Sequence, residues 1–311
     1  MYLLSASKNG NLKLLDPFDI QVEIYNITVH RGLVRYVTIN DLGDSFITLG
    51  SDKVMKLWDL RTGTVAVYFP QLPHAMYIAV FNRAGTRIAS VSDTGRLLIW
   101  NTSTGHQLRR WLIGKKNVSS RNPYTIVTAL SFSSDGSSVV ILGQDCEVKI
   151  WETESGLLIS CCKHFRDIWN CDFCPNDVSK IAAFDAAGDV TVTLPGNPSS
   201  PSIYSIDGLF IYIIKISNDG TKFVTGSRDG LSVVWNFASG SEICRFAGHC
   251  HQGQITQFQF NFDDSLISSL SSNGRMFTWS SETGIEMQSL FDPDLVFIAV
   301  GGNQKTESFW K

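Results

Sequence analysis

The sequence predicts an all-β protein, a seven-bladed β-propeller built from four-stranded antiparallel blades. Three observations lead to this prediction. Short apolar runs end at corresponding positions every 42 to 44 residues, with one interval of 51. A turn signal precedes most of these positions by 15 residues, so the repeats share one internal register. No capped segment of ten or more residues with the apolar period of a helix interrupts them.

Each repeat is marked by the last residue of a strand-like run, as in LGSDKVMKLWDLRTG (49–63). In order, the markers are Leu15, Trp58, Trp100, Trp151, Thr193, Trp235 and Trp279. The turn residues 15 positions before a marker are Gly43, Gly85, Gly136, Val178, Gly220 and Asp264. A unit therefore consists of two strands joined by an Asp/Gly/Asn turn, a marker strand, a TG or SG turn and a last strand. The inner runs are nearly continuous in Val, Ile and Leu, which predicts burial of both faces.

Repeated sheets of this kind make a propeller, and the two ends of the chain decide how it closes. No turn lies 15 residues before Leu15, so we expect the chain to enter a blade at its second strand. The apolar run LVFIAV (295–300) has no blade of its own and is expected to supply the missing strand. The prediction is one domain, residues 1–311, with six complete blades and one shared between residues 1–25 and about 295–311. The alternative interpretation begins an eighth unit at this run, with Trp310 as its marker.

The units resemble WD repeats over almost the whole chain. LWD at 57–59 is the clearest copy, IWN, IWE and VWN are ordinary variants, and the usual Gly-His pair occurs at Gly248-His249, with weaker echoes at His30 and His74. The resemblance implies that His, Ser/Thr, Asp and Trp can form a buried hydrogen-bond chain within a blade. By position, the residues for these structural roles are Asp52, Asp145, Asp229, Ser227, His249, Ser271 and Asn273. No unit is complete in this assignment, and the residue order is wrong for a Ser–His–Asp nucleophile.

An insertion after Trp100 accounts for the interval of 51 residues. The segment HQLRRWLIGKKNVSSRNPY (106–124) contains five Lys or Arg residues and no acidic residue. Because loops on rigid scaffolds often carry function, an acidic protein segment or a phosphate group could dock there. The candidate partner-binding residues are Arg109, Arg110, Lys115, Lys116 and Arg121. The alternative interpretation is a solvated loop without a partner.

Two further motifs have competing functional and structural interpretations. Trp58-Asp59-Leu60-Arg61 fits the WDxR pattern of some WD-repeat proteins that serve as substrate receptors of cullin-RING ubiquitin ligases. Asp59 and Arg61 would then contact the ligase adaptor; alternatively, they hold the turn that follows. The stretch 161–174 contains four cysteines and His164, which suggests zinc. Cys171 and Cys174 lie three apart in a predicted strand and would face opposite sides, so we predict no metal site.

Composition and the absence of certain motifs argue against several classes of function. The formal net charge of −3 argues against a general nucleic-acid binder, and no apolar run is long enough for a membrane helix. Phosphate-binding, HExxH and GxSxG motifs are absent, so we expect neither catalysis nor a cofactor. We predict an intracellular protein of the cytoplasm or nucleus: a non-catalytic scaffold for protein or peptide partners within a multiprotein complex. The alternatives are the ubiquitin-ligase receptor and an enzyme with a site in the central channel.

In this family one rim is lined by the residues before each first strand, here Arg31, Ala75, Phe165, Gly208 and Gln252.

Overall fold

The computed structural model describes residues 2–15, 22–113, 127–133, 135–143, 147–163, 168–174, 177–185, 189–193, 202–205, 211–249, 253–261, 263–292 and 295–301. For part of the strands from β12 to β20, and for most of β28, the description covers the backbone alone. All regular secondary structure in this part of the chain is β, as the absence of helical periodicity predicts. No helix in the described ranges is long and apolar enough to cross a bilayer.

Twenty-eight strands form seven four-stranded sheets in the described chain, and all of their pairings are antiparallel. Six sheets are blades of four consecutive strands. Blade 2 contains β4 (Val34–Ile39), β5 (Ser45–Gly50), β6 (Met55–Asp59) and β7 (Val65–Tyr68); blade 3 contains β8 (Met76–Phe81), β9 (Arg87–Ser92), β10 (Arg96–Asn101) and β11 (Gln107–Leu112). Blade 4 contains β12 (Val127–Phe132), β13 (Ser138–Gly143), β14 (Glu147–Glu152) and β15 (Leu158–Lys163); blade 5 contains β16 (Ile168–Cys174), β17 (Asp177–Asp185), β18 (Asp189–Thr193) and β19 (Ser202–Ser205). Blade 6 contains β20 (Ile211–Ile216), β21 (Lys222–Ser227), β22 (Ser232–Asn236) and β23 (Glu242–Phe246); blade 7 contains β24 (Ile255–Phe260), β25 (Leu266–Ser271), β26 (Arg275–Ser280) and β27 (Glu286–Phe291).

The remaining sheet, blade 1, is composite. Its order is β28 (Leu295–Gly301), β1 (Tyr2–Ser7), β2 (Asn11–Leu15) and β3 (Glu23–Thr28). Tyr2 pairs with Gly301 across its β1–β28 ladder, and β28 also lies beside β4 and β24 of the adjacent blades. The chain thus contains six complete blades in sequence, and the composite sheet closes the ring. The eighth-unit interpretation of the run 295–300 is wrong, because this run is the innermost strand of blade 1.

The second and third strands of the blades are the most deeply buried. All residues of β5 after its first are buried, as are the four central residues of β10. Their apolar side chains fill the spaces between neighbouring blades: Leu4 and Leu12 of blade 1 pack in one cluster with Phe46 and Trp58 of blade 2. The continuous apolar runs correctly predicted this two-sided burial.

Antiparallel pairing sends the turns to two opposite rims of the ring. The first rim carries the turns from first to second strand and from third to fourth strand, residues 40–44 and 60–64 in blade 2. The second rim carries the turns from second to third strand and the links between blades, residues 51–54 and 29–33 at blade 2. Residues on the two rims therefore cannot share one compact site.

Most of the predicted first-rim turns are present. Backbone φ lies between +58° and +71° at Gly43, Gly85, Gly136, Gly220 and Asp264. Asp264 is not a glycine, and its carboxylate accepts hydrogen bonds from the backbone N–H groups of Asn218 and Asp219 of blade 6, both at 2.9 Å. These hydrogen bonds anchor the Asp264 turn to blade 6 and stabilise a positive φ that is unfavourable for a non-glycine residue. The turn predicted at Val178 is wrong, because β17 already begins at Asp177.

Candidate functional site

A complete buried hydrogen-bond chain crosses blade 2. His30 Nδ1 lies 3.0 Å from Asp52 Oδ2, and His30 Nε2 lies 2.8 Å from Thr48 Oγ1. Trp58 Nε1 donates to the same Thr48 oxygen at 2.9 Å. The prediction that no unit is complete is therefore wrong. The relevant hydroxyl lies ten residues before the tryptophan, whereas the sequence assignment placed it eight residues before.

The same correction applies to other blades. The hydroxyl that accepts from the marker tryptophan is Ser90 for Trp100, Thr225 for Trp235 and Ser269 for Trp279, at 2.8, 2.9 and 3.0 Å. Ser227 and Ser271, assigned from sequence, instead donate to Asp229 and Asn273 within second-rim turns. In blade 4 the equivalent position is Ile141, and Trp151 Nε1 is buried without a hydrogen-bond partner. Asp145 lies outside the described residues.

His249 forms half of such a chain in blade 7. Its Nε2 lies 2.8 Å from Ser269 Oγ, but its buried Nδ1 has no hydrogen-bond partner in the described structure. Asn273 stands where blade 2 has Asp52, and its side-chain oxygen accepts from Ser271. Burial lowers the pKa of His249 to about 4, so the imidazole is neutral at pH 7.

The hydrogen-bond chain in blade 2 has a structural role rather than a catalytic one. Burial lowers the pKa of His30, although the Asp52 carboxylate opposes this shift. The Thr48 hydroxyl is completely buried and already serves both His30 and Trp58. A nucleophilic hydroxyl must reach a substrate, and this one has no exposed surface. The geometry therefore supports the structural interpretation of the His–Thr–Asp set.

The described part of the basic segment belongs to a strand. Arg109 and Arg110 lie in β11, the outer strand of blade 3. Arg109 Nε donates to the backbone carbonyl of Glu154 in blade 4 at 2.8 Å, and the Glu154 carboxylate also pairs with Arg87. Arg109 thus joins two blades, and both Arg109 and Arg110 are exposed. Lys115, Lys116 and Arg121 lie outside the described residues.

The WDxR motif occupies a turn of the first rim. The Asp59 carboxylate accepts from Thr62 N–H at 2.8 Å and from the Thr62 hydroxyl at 2.9 Å. Burial would raise the pKa of Asp59, but these hydrogen bonds and Arg61 outweigh it and lower that pKa. Arg61 is exposed beside it. Asp59 therefore holds the turn, which was one of the two interpretations of the motif.

The cysteine-rich stretch is described only in part. Cys161 has an exposed thiol at the outer edge of blade 4. Cys171 and Cys174 lie in β16, of which the backbone is described, and His164 lies outside the described residues. Among the described side chains, no group of three His, Cys, Asp or Glu residues has the spacing to hold a metal ion.

A recurrent bulge shapes the second-rim end of the central channel. The ladder between the first two strands skips one residue near the start of every innermost strand, and a bulge re-aims the side chain that it carries. The skipped residues are Arg35, Tyr77, Thr128, Trp169, Tyr212, Thr256 and Val296. Arg35 and Tyr77 are neighbours in this series and lie on adjacent blades.

Polar groups collect around this pair. The backbone N–H of Asp93, in the turn after β9, donates to the carbonyl of Ala75 at 2.9 Å, and His74 Nδ1 lies 3.7 Å from Asp93 Oδ1. Burial raises the pKa of Tyr77; the Asp93 carboxylate adds to this shift and Arg35 opposes it. We name the set of Arg35, His74, Tyr77 and Asp93 the blade 2–3 cluster.

Sequence analysis missed the blade 2–3 cluster because it placed the rim slightly earlier in the chain. Of its rim residues, Arg31 is exposed, but Ala75 is only 5% exposed and does not line the rim. Phe165, Gly208 and Gln252 lie outside the described residues. A usable signal was present, since Arg35 and Tyr77 each lie 23 residues before their marker tryptophan.

Comparison with known proteins agrees with this architecture. A family model described as "WD domain, G-beta repeat" matches residues 116–152 and 188–236. WD repeat-containing protein 1 of Rattus norvegicus is 22% identical over 275 residues, which cover 85% of this chain and 43% of that protein. Autophagy-related protein 16 of Arabidopsis thaliana is 22% identical over 264 residues, covering 83% of this chain and 49% of that protein.

The chain carries WD repeats in the segments that the family model matches, on a β-propeller fold. The resemblance to WD repeats seen in the sequence is thereby confirmed. The WD-repeat propeller spans less than half the length of these two relatives. A guanine nucleotide-binding protein subunit beta of Nicotiana plumbaginifolia is also similar, at 24% identity over 67% of this chain and 56% of its own length.

The fold of the WD-repeat propeller is also found in a solved structure. The crystal structure of the computationally designed Ika8 protein superposes with a TM-score of 0.69. The aligned region covers 97% of this chain and 88% of the Ika8 chain. Sequence identity is 20%, so this likeness concerns the fold alone.

Proposed function

We propose that this WD-repeat propeller is a non-catalytic scaffold that binds partner proteins within a multiprotein complex through its second rim. The observation that carries the proposal is the division of polar residues between blade interiors and rims. His30 and His249 are buried in the blades, and His30 completes an internal hydrogen-bond chain. His74 is on the second rim, and His106 is in a first-rim turn. The described histidines therefore occupy four separate links and turns, which supports a binding role over a catalytic centre in the channel.

The basic segment is the first surface to test within this proposal. Its described part ends just after β11 at the second rim, where the backbone N–H of Ile113 donates to the Gly95 carbonyl at 3.0 Å. Its positive charge favours an acidic segment of a partner protein. Arg109 is unsuitable for mutation, because its bond to Glu154 joins blades 3 and 4.

The experiment is affinity purification of the tagged protein followed by mass spectrometry. The variant R110S/K115S/K116S removes three positive charges and keeps the blade contact of Arg109. R61S, on the first rim, is the control. Stoichiometric partners lost only in the triple variant would support docking at the basic segment. A wild-type protein that retains no stoichiometric partner would contradict the scaffold function.

The same experiment tests the ubiquitin-ligase receptor alternative. That role requires Arg61 for adaptor binding, so R61S would lose a cullin-ligase adaptor that the wild type and the triple variant retain. The hydrogen bonds from Thr62 to Asp59 favour a turn-forming role for this motif. We therefore expect R61S to retain all partners.

A further inference from the structure

The outer edge of blade 3 is a strand whose second side is open. Among the described strands, β11 pairs with β10 alone and is the last strand of its sheet. The Ile113 N–H donates to the Gly95 carbonyl, and in an antiparallel ladder every second residue before Ile113 faces β10 in the same way. The N–H and C=O groups of Arg110 and Leu112 therefore point away from the sheet, where a further strand can pair with them.

The side chains on one face of this edge are exposed as well. Leu108 and Leu112 are 37% and 58% exposed, and Arg110 between them is exposed. Arg96 stands directly opposite Leu112 in the ladder, so its side chain lies on the same face. Neither arginine forms an ion pair with a described residue. The edge thus presents a basic group between two apolar ones, with a second basic group beside them.

The other face of β11 is fixed against blade 4. Arg109 Nε donates to the Glu154 carbonyl at 2.8 Å. Trp111 packs so closely on Gly156 that a methyl group there would stand 1.7 Å from the indole nitrogen. Because these contacts already hold the strand in place, a ligand at its open edge loses little free energy in ordering it.

The corresponding position of blade 6 shows what is particular to this edge. Arg245 follows Trp235 by ten residues, as Arg110 follows Trp100. The guanidinium of Arg245 donates two hydrogen bonds of 2.6 Å to the carboxylate of Glu242 in its own strand. The charge at the edge of β23 is therefore neutralised within the blade, whereas that of Arg110 is available to an external carboxylate.

The chemistry of the edge defines its ligand. A simple anion would meet the arginines but would leave the main-chain groups and both leucines unused. An extended polypeptide offers N–H and C=O groups at a rise of about 3.3 Å per residue, and its alternate side chains lie on one face. A segment that pairs with β11 places three such side chains over Leu108, Arg110 and Leu112, so the complementary pattern is apolar, acidic, apolar at every second residue.

We propose that the open edge of β11 binds an extended acidic segment of a partner protein as a fifth strand of blade 3. The main chain of the segment pairs with Arg110 and Leu112, its carboxylate pairs with Arg110, and its apolar side chains cover Leu108 and Leu112. This inference rests on the proposed scaffold function and specifies how an acidic partner segment meets blade 3.

The test selects random peptides displayed on phage against the immobilised full-length protein. Enriched peptides should contain a carboxylate flanked two residues away on each side by apolar residues. Their affinities are measured by fluorescence polarisation for the wild type, R110S and L112P. L112P removes an outward-facing N–H and no hydrogen bond of the ladder. The matched controls are R245S and F291P, because Arg245 and Phe291 hold the same positions in β23 and β27 and Phe291 is also 58% exposed.

We expect R110S and L112P each to weaken binding about tenfold or more, and the controls to bind as the wild type does. Urea denaturation of each variant separates binding from folding, since affinity lost at an unchanged midpoint supports the proposal. A second readout is amide hydrogen exchange followed by NMR. The peptide should protect the amides of Arg110 and Leu112 and leave those of Arg109 and Trp111 unchanged, a pattern that loss of fold does not produce.

Three results would overturn the proposal: enrichment of no peptide on the wild type, affinities of R110S and L112P within about twofold of the wild type, or binding that R110S abolishes and L112P retains. The last result would show attraction by charge without strand pairing. Partners that co-purify with L112P as they do with the wild type would leave the scaffold function standing and refute this edge alone.

Discussion

The indole N–H of Trp58 donates to the hydroxyl of Thr48, ten residues earlier in the chain, at 2.9 Å. The same oxygen lies 2.8 Å from His30 Nε2. One buried atom therefore satisfies two others, and through them it connects the link before blade 2 to the marker strand in its interior.

Thr48→Val should destabilise the protein more than Thr225→Val. Both threonines are buried and both accept from a marker tryptophan, but only Thr48 also serves a histidine. Each unpaired buried group costs about 1–3 kcal/mol, so we expect losses of about 2–6 kcal/mol for T48V and about 1–3 kcal/mol for T225V. Urea denaturation at pH 7 measures both. Equal losses would show that the His30 contact contributes nothing.

Stability should fall as the pH decreases from 6.5 towards 4, in part because of His249. Its pKa is about 4 in the folded protein and 6.5 as a free side chain, so the unfolded chain binds the proton more tightly. The neutral imidazole is compatible with folding above pH 6.5, and protonation favours unfolding below it. We expect a loss of about 2 kcal/mol between pH 7.5 and 5 from this residue. In H249Q the difference between urea denaturations at these two pH values should shrink by that amount; an unchanged difference would contradict the prediction.

Two glycines in equivalent first-rim turns should respond differently to alanine. Gly63 and Gly284 have φ of +66° and +69°, so the backbone penalty of about 1 kcal/mol is shared. A methyl group at Gly63 would stand 3.4 Å from the Tyr25 ring, an acceptable contact, whereas at Gly284 it would meet the Arg245 carbonyl oxygen at 2.2 Å. We expect G63A to cost about 1 kcal/mol and G284A at least about 2 kcal/mol more. Thermal and urea denaturation of the two variants check this, and equal costs would contradict the steric argument.

Blade 4 offers a test by repair. Trp151 Nε1 is buried and unpaired, and Ile141 occupies the position where blades 2, 3, 6 and 7 have a hydroxyl. Ile141→Thr places an acceptor there at the expense of apolar contact. Ile47→Thr, at another buried strand position, is the matched control without an orphaned donor. We expect I141T to cost about 1 kcal/mol less than I47T in urea denaturation. A cost as large as that of I47T would mean that the new hydroxyl does not reach Trp151.

The repeat was predictable because its signals are local. Each marker, its turn and the apolar runs between them lie within three consecutive strands of one blade, so spacing alone recovers their register. The hydrogen-bond chain in blade 2 was not predicted for a related reason. His30 follows Val29 rather than the glycine typical of the family, and the hydroxyl was assigned two positions too late in the sequence.

Contacts between blades were not predictable from the same signals. Arg109 and Glu154 are 45 residues apart and meet only because the outer edge of one blade reaches the turn of the next. Arg35 and Tyr77 were identified because the ladder between the first two strands of their blades skips each of them. Which residue a ladder skips depends on how two strands pair rather than on the sequence of either strand. The blade 2–3 cluster could therefore be recognised only from the three-dimensional arrangement of the blades.

The pairing of Tyr2 with Gly301 has a consequence for synthesis in the cell. Among the described strands of the propeller, β1 is synthesised before the others and its inner partner β28 after them, a delay of about 15–60 s at typical translation speeds. Throughout that time one edge of the nascent sheet stays open to other chains, the kind of edge that promotes misassembly. The inner edge of β1 is therefore covered only after β28 has been made.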